Sequence, residues 1–145
     1  MSNGSIPVVD KRSEWDGPVP EPAGIGTYFW SATTDGRFPV QECPDCGHRQ
    51  FYPRVHCMAC NRLDPEWVDT SGEGTIYSYT VCHTARESVY RDLAPYAVVL
   101  VDLDAGVRVT ALVPDELDRV DVGTDVEMTL WQVADNAAVP VFRPA

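Results

Sequence analysis

Four cysteines in the stretch CPDCGHRQFYPRVHCMAC carry the strongest chemical signal in the chain: Cys43, Cys46, Cys57 and Cys60. Their spacing is C-x2-C-x10-C-x2-C. Within each pair a tight turn brings both thiolates to one ion, and two such knuckles at neighbouring hairpin tips complete a tetrahedron. Zn²⁺ suits four soft thiolates and has no redox chemistry of its own. Gly47 and Asn61 each follow the second cysteine of a pair, and both tolerate the left-handed backbone that a knuckle needs. One structural zinc ion per chain is therefore expected. Four protein ligands leave no open position for water or substrate, so hydrolysis at this metal is not expected. Free thiols without metal leave the paired spacing unexplained, and two disulfides would suit an oxidising compartment. Iron in the same ligands would instead make an electron carrier. With four cysteines available, His48 and His56 read as surface or hydrogen-bonding residues rather than ligands.

Other reactive types are present without supporting context. Cys82 and His83 are adjacent, and neighbours on a strand point to opposite faces, so a nucleophile–base dyad is not expected. Asp102 with Asp104, and Asp115 with Glu116, read as solvated carboxylates near turns. Neither a Ser-His-Asp set with context, nor a phosphate-cradling glycine loop, nor an HExxH helix is found. By its own residues the chain does not read as an enzyme. Aromatics and arginines do gather in two segments. His48, Arg49, Phe51, Tyr52, Pro53 and Arg54 lie between the knuckles; Tyr77, Tyr79, His83, Arg86, Tyr90 and Arg91 lie on or after the strand that follows. Such a set can clamp a nucleotide-bearing ligand or a protein, or its rings can simply fill a small core while the arginines offset acidic neighbours.

The elements that would position these groups are short. Twelve prolines and ten glycines in 145 residues favour turns and strands over long helices. Residues 1–23, broken by Pro7, Pro18, Pro20 and Pro22, read as a flexible or extended arm, with Ile6, Val8, Val9 and Trp15 available as anchors. Residues 24–35 read as a short aromatic helix in which Tyr28, Phe29 and Trp30 cannot share one face, and Gly36 ends it. Residues 36–70 form the ribbon, with short strands expected over 38–42 and 50–54. From 71 to 145 the composition turns β-branched and alternating: TIYSYTVC, YAVVLVDL, a DAG turn, then Val107, Val109, Ala111 and Val113 set against polar neighbours. Val126, Met128 and Leu130 repeat the alternation, and 139–142 reads as a last short strand. About five strands with one helical turn near 114–118, before the fourth, predict a small Greek-key barrel of the OB type.

The formal net charge is -11 and Lys11 is the only lysine. Such a field repels phosphate backbones and anionic lipids, so neither nucleic acid nor a membrane is expected as partner. The longest apolar run, Tyr96 to Val101, is strand-sized, and the N-terminus lacks the apolar core of a signal peptide. A cytoplasmic location is the expectation, and there a thiol cluster more often binds metal than forms disulfides.

The order of parts, TYFW, then DGRFPVQECPDCGHRQFYPRVHCMAC, GEGTIYSYTV, APYAVVLVDLDAGVRVTALV, VGTDVEMTLW and PVFRP, resembles a family long catalogued as a domain of unknown function. Its members join a rubredoxin-like zinc ribbon to an OB-fold. The resemblance covers Gly24 to Pro144, and FYPR before the second knuckle together with GEGTIYSYT is its specific part. It implies a mainly β chain that serves as a non-catalytic accessory subunit of a thiolase-fold enzyme acting on acyl-CoA. The partners implied are thiolases, hydroxymethylglutaryl-CoA synthase, or aldolases of steroid side-chain degradation, with some members working beside enoyl-CoA hydratases. A heterotetramer is the implied assembly. On this resemblance Arg54, Arg86 and Tyr52 are the expected CoA contacts, and Tyr28, Phe29, Trp30 and Phe51 the expected partner contacts. A rubredoxin-like iron carrier and a free-standing CoA-binding module stand as alternatives.

Overall fold

The structure, a computed structural model, describes residues 5–145; residues 1–4 of the expected arm lie outside the described residues. In chain order the elements are β1 (Val8–Asp10), α1 (Gly26–Thr34), β2 (Pro39–Glu42), β3 (Arg49–Gln50), β4 (Glu66–Asp69), β5 (Glu73–Cys82), α2 (Ser88–Leu93), β6 (Tyr96–Leu103), β7 (Arg108–Val113), β8 (Asp125–Ala134) and β9 (Ala137–Pro144). A single 3-10 turn at Leu117–Arg119 sits where a helical turn was expected. Among the described residues no helix is long and apolar enough to cross a membrane.

Strands β5 to β9 close into the expected five-stranded OB barrel. Antiparallel pairs link β5 to β6, β6 to β7, β8 to β9 and β5 to β8, and the parallel contact of β7 with β9 at Leu112 and Val141 completes the circuit. The period-two pattern decides which side chains enter. Val109, Ala111 and Val113 of β7 face the core, whereas Arg108 and Thr110 face water. Gly74 allows β5 to cross β6 closely, since a Cβ there would meet the Asp102 carbonyl oxygen at 2.5 Å.

The ribbon is a three-stranded antiparallel sheet in the order β3-β2-β4. It shares its core with the barrel, because Phe29, Phe38 and Val40 belong to the same buried cluster as Val99, Leu130 and Phe142. Helix α1 packs on β9 over Ala137 and Ala138, both fully buried and small enough to admit it. Thr33 fastens that contact by accepting a 3.0 Å bond from the Ala138 amide.

Two expectations need correction. From Ile6 to Asp10 the arm is extended and packed on the barrel rather than free. Ile6 is buried in the core, its amide bonds the Gly36 carbonyl at 2.8 Å, and β1 pairs in parallel with Leu130–Gln132 of β8. Gly36, at φ 80°, does more than end the helix: a Cβ there would meet the Ile6 carbonyl oxygen at 2.8 Å. Burial of Ile6 and the three-residue strand offset the entropy that a free arm would keep. The second correction concerns the strand expected over 50–54. It stops at Gln50, because the backbone beyond it bonds to a glutamine side chain instead of a strand.

Candidate functional site

Cys43, Cys46, Cys57 and Cys60 converge as the spacing requires. All four Sγ atoms lie within 4.8 Å of one another, with Cys43–Cys60 and Cys46–Cys57 each at 3.6 Å. A tetrahedral zinc–thiolate site with bonds of about 2.3 Å has S···S edges of about 3.8 Å, so the donor set fits one ion. The knuckles are near copies. In each, the residue after the second cysteine donates to the carbonyl of the first: Gly47 to Cys43 and Asn61 to Cys57, both at 2.9 Å. Gly47 has φ 77° and Asn61 φ 66°, the left-handed backbone expected of them. The amides of Cys46 and Asp45 favour the Cys43 thiolate and bring it down to about 7. Cys60 is favoured by the Arg62 amide, yet the neighbouring Cys43 sulfur and burial leave it pushed up to about 12. Four crowded sulfurs ionise together only around a cation, and a metal ion supplies that charge. With four sulfur ligands the site is closed to substrate and supplies folding energy rather than catalysis.

Two glutamines set the second knuckle against the ribbon. Gln41, 1% exposed, lies on β2 between buried Val40 and half-buried Glu42. Its Nε2 donates to the Arg54 carbonyl at 2.8 Å and its Oε1 accepts from the Arg54 amide at 2.9 Å. Gln50 donates to Gln41 Oε1 at 2.9 Å and to the His56 carbonyl at 3.1 Å, and accepts from the Met58 amide at 2.9 Å. The backbone from Arg54 to Met58 is thus held as an arch by side chains, in place of the missing strand.

The residues expected to meet a partner have separated. Phe29 is 3% exposed and packs edge-on to Phe38 and Phe51, with centroids at 5.2 and 5.7 Å. It is a core residue, because consecutive aromatics on a short helix force one of them inward. Trp30 and Phe51 are half-buried at the same junction. Only Tyr28 is exposed, tilted over Trp67 and accepting from Arg37 at 3.0 Å. Of the residues expected to contact CoA, Tyr52 and Arg54 open the arch on the ribbon and Arg86 precedes α2 beside the barrel. Arg54, Arg86 and Arg91 make no side-chain hydrogen bond or ion pair among the described residues.

A cavity of about 460 Å³ lies between residues 15–20 and the outer face of the barrel, walled by Trp15, Tyr90, Leu112, Trp131 and Val139. Neither Tyr52, Arg54 nor Arg86 lines it. Cys82 is half-buried and His83 exposed, and no hydrogen bond joins them. Sequence reasoning missed α2, the glutamine pair and the apolar residues of the arch, Val55, Met58 and Leu63. The signal for the last was available as three apolar residues in an otherwise polar knuckle.

Two family models match the chain. Residues 30–66 match the rubredoxin-like zinc ribbon domain of ChsH2, and residues 67–130 match the C-terminal OB-fold domain of ChsH2. A DUF35 domain-containing scaffold protein of Methanothermobacter thermautotrophicus is 36% identical over 96 residues, which cover 65% of this chain and 71% of that protein. The "Probable enoyl-CoA hydratase alpha subunit" of Thermomonospora curvata is 34% identical over 119 residues, 81% of this chain. The present chain spans only 37% of that relative's length. Among solved structures, a chain of the Ltp2-ChsH2(DUF35) aldolase superposes with a TM-score of 0.76 at 28% identity, covering 87% of this chain and 98% of that one.

Proposed function

Because the chain belongs to the DUF35 family of ChsH2-like proteins, which join a rubredoxin-like zinc ribbon to an OB-fold, we propose that it is a non-catalytic accessory subunit of a thiolase-fold enzyme acting on a CoA thioester. The observation that carries the reading is the likeness of ribbon and barrel together to a chain of the Ltp2-ChsH2(DUF35) aldolase over 98% of that chain. The closed thiolate site supports the non-catalytic half of the proposal, since it offers structure and no open coordination position. On this reading the partner performs carbon–carbon bond cleavage, and the present chain stabilises it and helps hold the CoA moiety. Arg86, exposed and without a counter-ion among the described residues, is assigned to the CoA phosphates. Two copies on a dimeric partner give a heterotetramer. Thiolate ligands suit a reducing compartment, in keeping with a cytoplasmic complex.

A second reading is favoured by the hydratase subunit of Thermomonospora curvata, in which a segment similar to this chain is part of a longer protein. There the partner would hydrate an enoyl thioester.

The test is co-expression of the tagged chain with each thiolase-fold and hydratase protein of its host. It is followed by size-exclusion chromatography, metal analysis and acyl-CoA turnover by any complex. A stable complex with a thiolase-fold protein, one zinc ion per chain and cleavage activity absent from either subunit alone is the expected result. A complex with a hydratase alone selects the second reading. A red, redox-active iron protein without partner would return the electron-carrier alternative.

A further inference from the structure

The six most exposed large apolar side chains include four from one twelve-residue segment of the ribbon. They are Tyr52 at 61%, Val55 at 58%, Met58 at 53% and Leu63 at 65%. Scattered exposed apolar residues are ordinary; a group of this size on one small hairpin is not. The hairpin closes on itself where Cys57 donates to the Arg62 carbonyl at 2.8 Å and Asp64 to the Val55 carbonyl at 2.9 Å. The group therefore stands on a common support.

That support is rigid by construction. The Gln41–Gln50 pair satisfies the Arg54 amide, the Arg54 carbonyl, the His56 carbonyl and the Met58 amide from beneath. Cys57 and Cys60 tie the same hairpin to the metal. A loop whose backbone is turned inward to buried partners sends its side chains outward, with little conformational freedom left to lose on binding. Burying Gln41 to fix a surface loop is a cost that packing alone does not explain.

Charge indicates what covers the group. Residues 71–145 hold twelve carboxylates against five arginines, whereas residues 36–70 hold five against four. The ribbon is near balance on a chain of -11. Within the group stands Arg54, which has no counter-ion among the described residues. An exposed apolar segment that also carries a guanidinium without a counter-ion among the described residues is complementary to an apolar hollow with a carboxylate at its rim.

We propose that Tyr52, Arg54, Val55, Met58 and Leu63 form the surface by which the ribbon docks on its enzyme partner, and that the partner offers such a carboxylate-rimmed hollow. The inference rests on the accessory-subunit reading above. It takes Tyr52 and Arg54 away from CoA and gives them to the protein interface.

The experiment measures binding of the zinc-loaded chain to the co-expressed thiolase-fold partner. The wild type is compared with Val55→Glu/Leu63→Glu, with Arg54→Ala, and with Val122→Glu, an equally exposed site on the barrel. Zinc content and the thermal transition verify the fold of each. The arch double variant is expected to bind at least about 30-fold more weakly. Arg54→Ala should bind several-fold more weakly and lose part of the salt dependence, and Val122→Glu should stay within about twofold of wild type. A folded double variant that binds like wild type overturns the docking surface and leaves the accessory-subunit reading intact. A wild type that binds no thiolase-fold protein overturns that reading and this proposal with it. Self-association of the wild-type chain that the double variant abolishes, without partner binding, would assign the surface to a second copy and equally overturn the proposal.

Discussion

Gln41 is a polar residue on a short strand, and the arch depends on it. Gln41→Ala would strand the Arg54 amide and carbonyl and one Gln50 donor in a part-buried setting. Unpaired groups of this kind cost about 1–3 kcal/mol. A loss of that order in urea unfolding is expected, with zinc still bound because none of the four ligands is touched. A change within 0.5 kcal/mol, on the order of an ordinary surface substitution, would mean the arch holds without its glutamines. A second residue-scale test concerns Asp10. The Arg12 side chain, with help from the Arg12 amide, holds its carboxyl at about 2, below the ordinary 3.8. A depressed carboxyl stabilises the fold above its ordinary value, and the contribution is lost as pH falls through about 2. The pair is exposed, so the effect on stability is slight and the titration is the better readout. Arg12→Ala should move Asp10 most of the way back toward 3.8 in a carboxyl NMR titration.

At the scale of elements, the strap of residues 5–17 separates what sequence could reveal from what it could not. The knuckles were legible because their spacing is local: two residues between ligands fix the turn, and Gly47 and Asn61 mark its end. The barrel strands were legible because Val109, Ala111 and Val113 alternate with polar neighbours whatever they pair with. The pairing of Val8–Asp10 with Leu130–Gln132 spans most of the chain, and nothing in VVD names its partner. Helix α2 was hidden for a related reason. No side chain of its own caps its start; the Ser88 hydroxyl instead bonds Asp16 of the strap at 2.6 Å. Trp15 then packs edge-on to Tyr90 of α2 and to Trp131 of β8. If the strap is structural, Ile6→Ala should cost about 2–5 kcal/mol in chemical unfolding. A free arm would make the same substitution silent.

At the scale of the whole molecule, the metal and the barrel are coupled. The ribbon alone is too small to bury a core, and metal binding supplies on the order of 10 kcal/mol to such a module. The barrel would not need that energy if the two were separate. They are not separate: Phe38 and Val40 of the ribbon lie in the barrel's core cluster, and Arg49 donates to the Ala105 carbonyl at 3.0 Å across the junction. Losing the ion should therefore loosen β2, uncover Phe38 and draw the barrel down with it. Two probes can follow this independently, Trp67 in the ribbon sheet and Trp131 in the barrel, each kept as sole reporter by changing the other tryptophan together with Trp15 and Trp30 to Phe. With zinc bound, both should report one coincident thermal transition. After chelation, both should shift to lower temperature, with Trp67 moving further. A barrel transition that stays where it was while the Trp67 signal collapses would show that the shared core carries no coupling and that the ribbon is an independent module tied on by sequence alone.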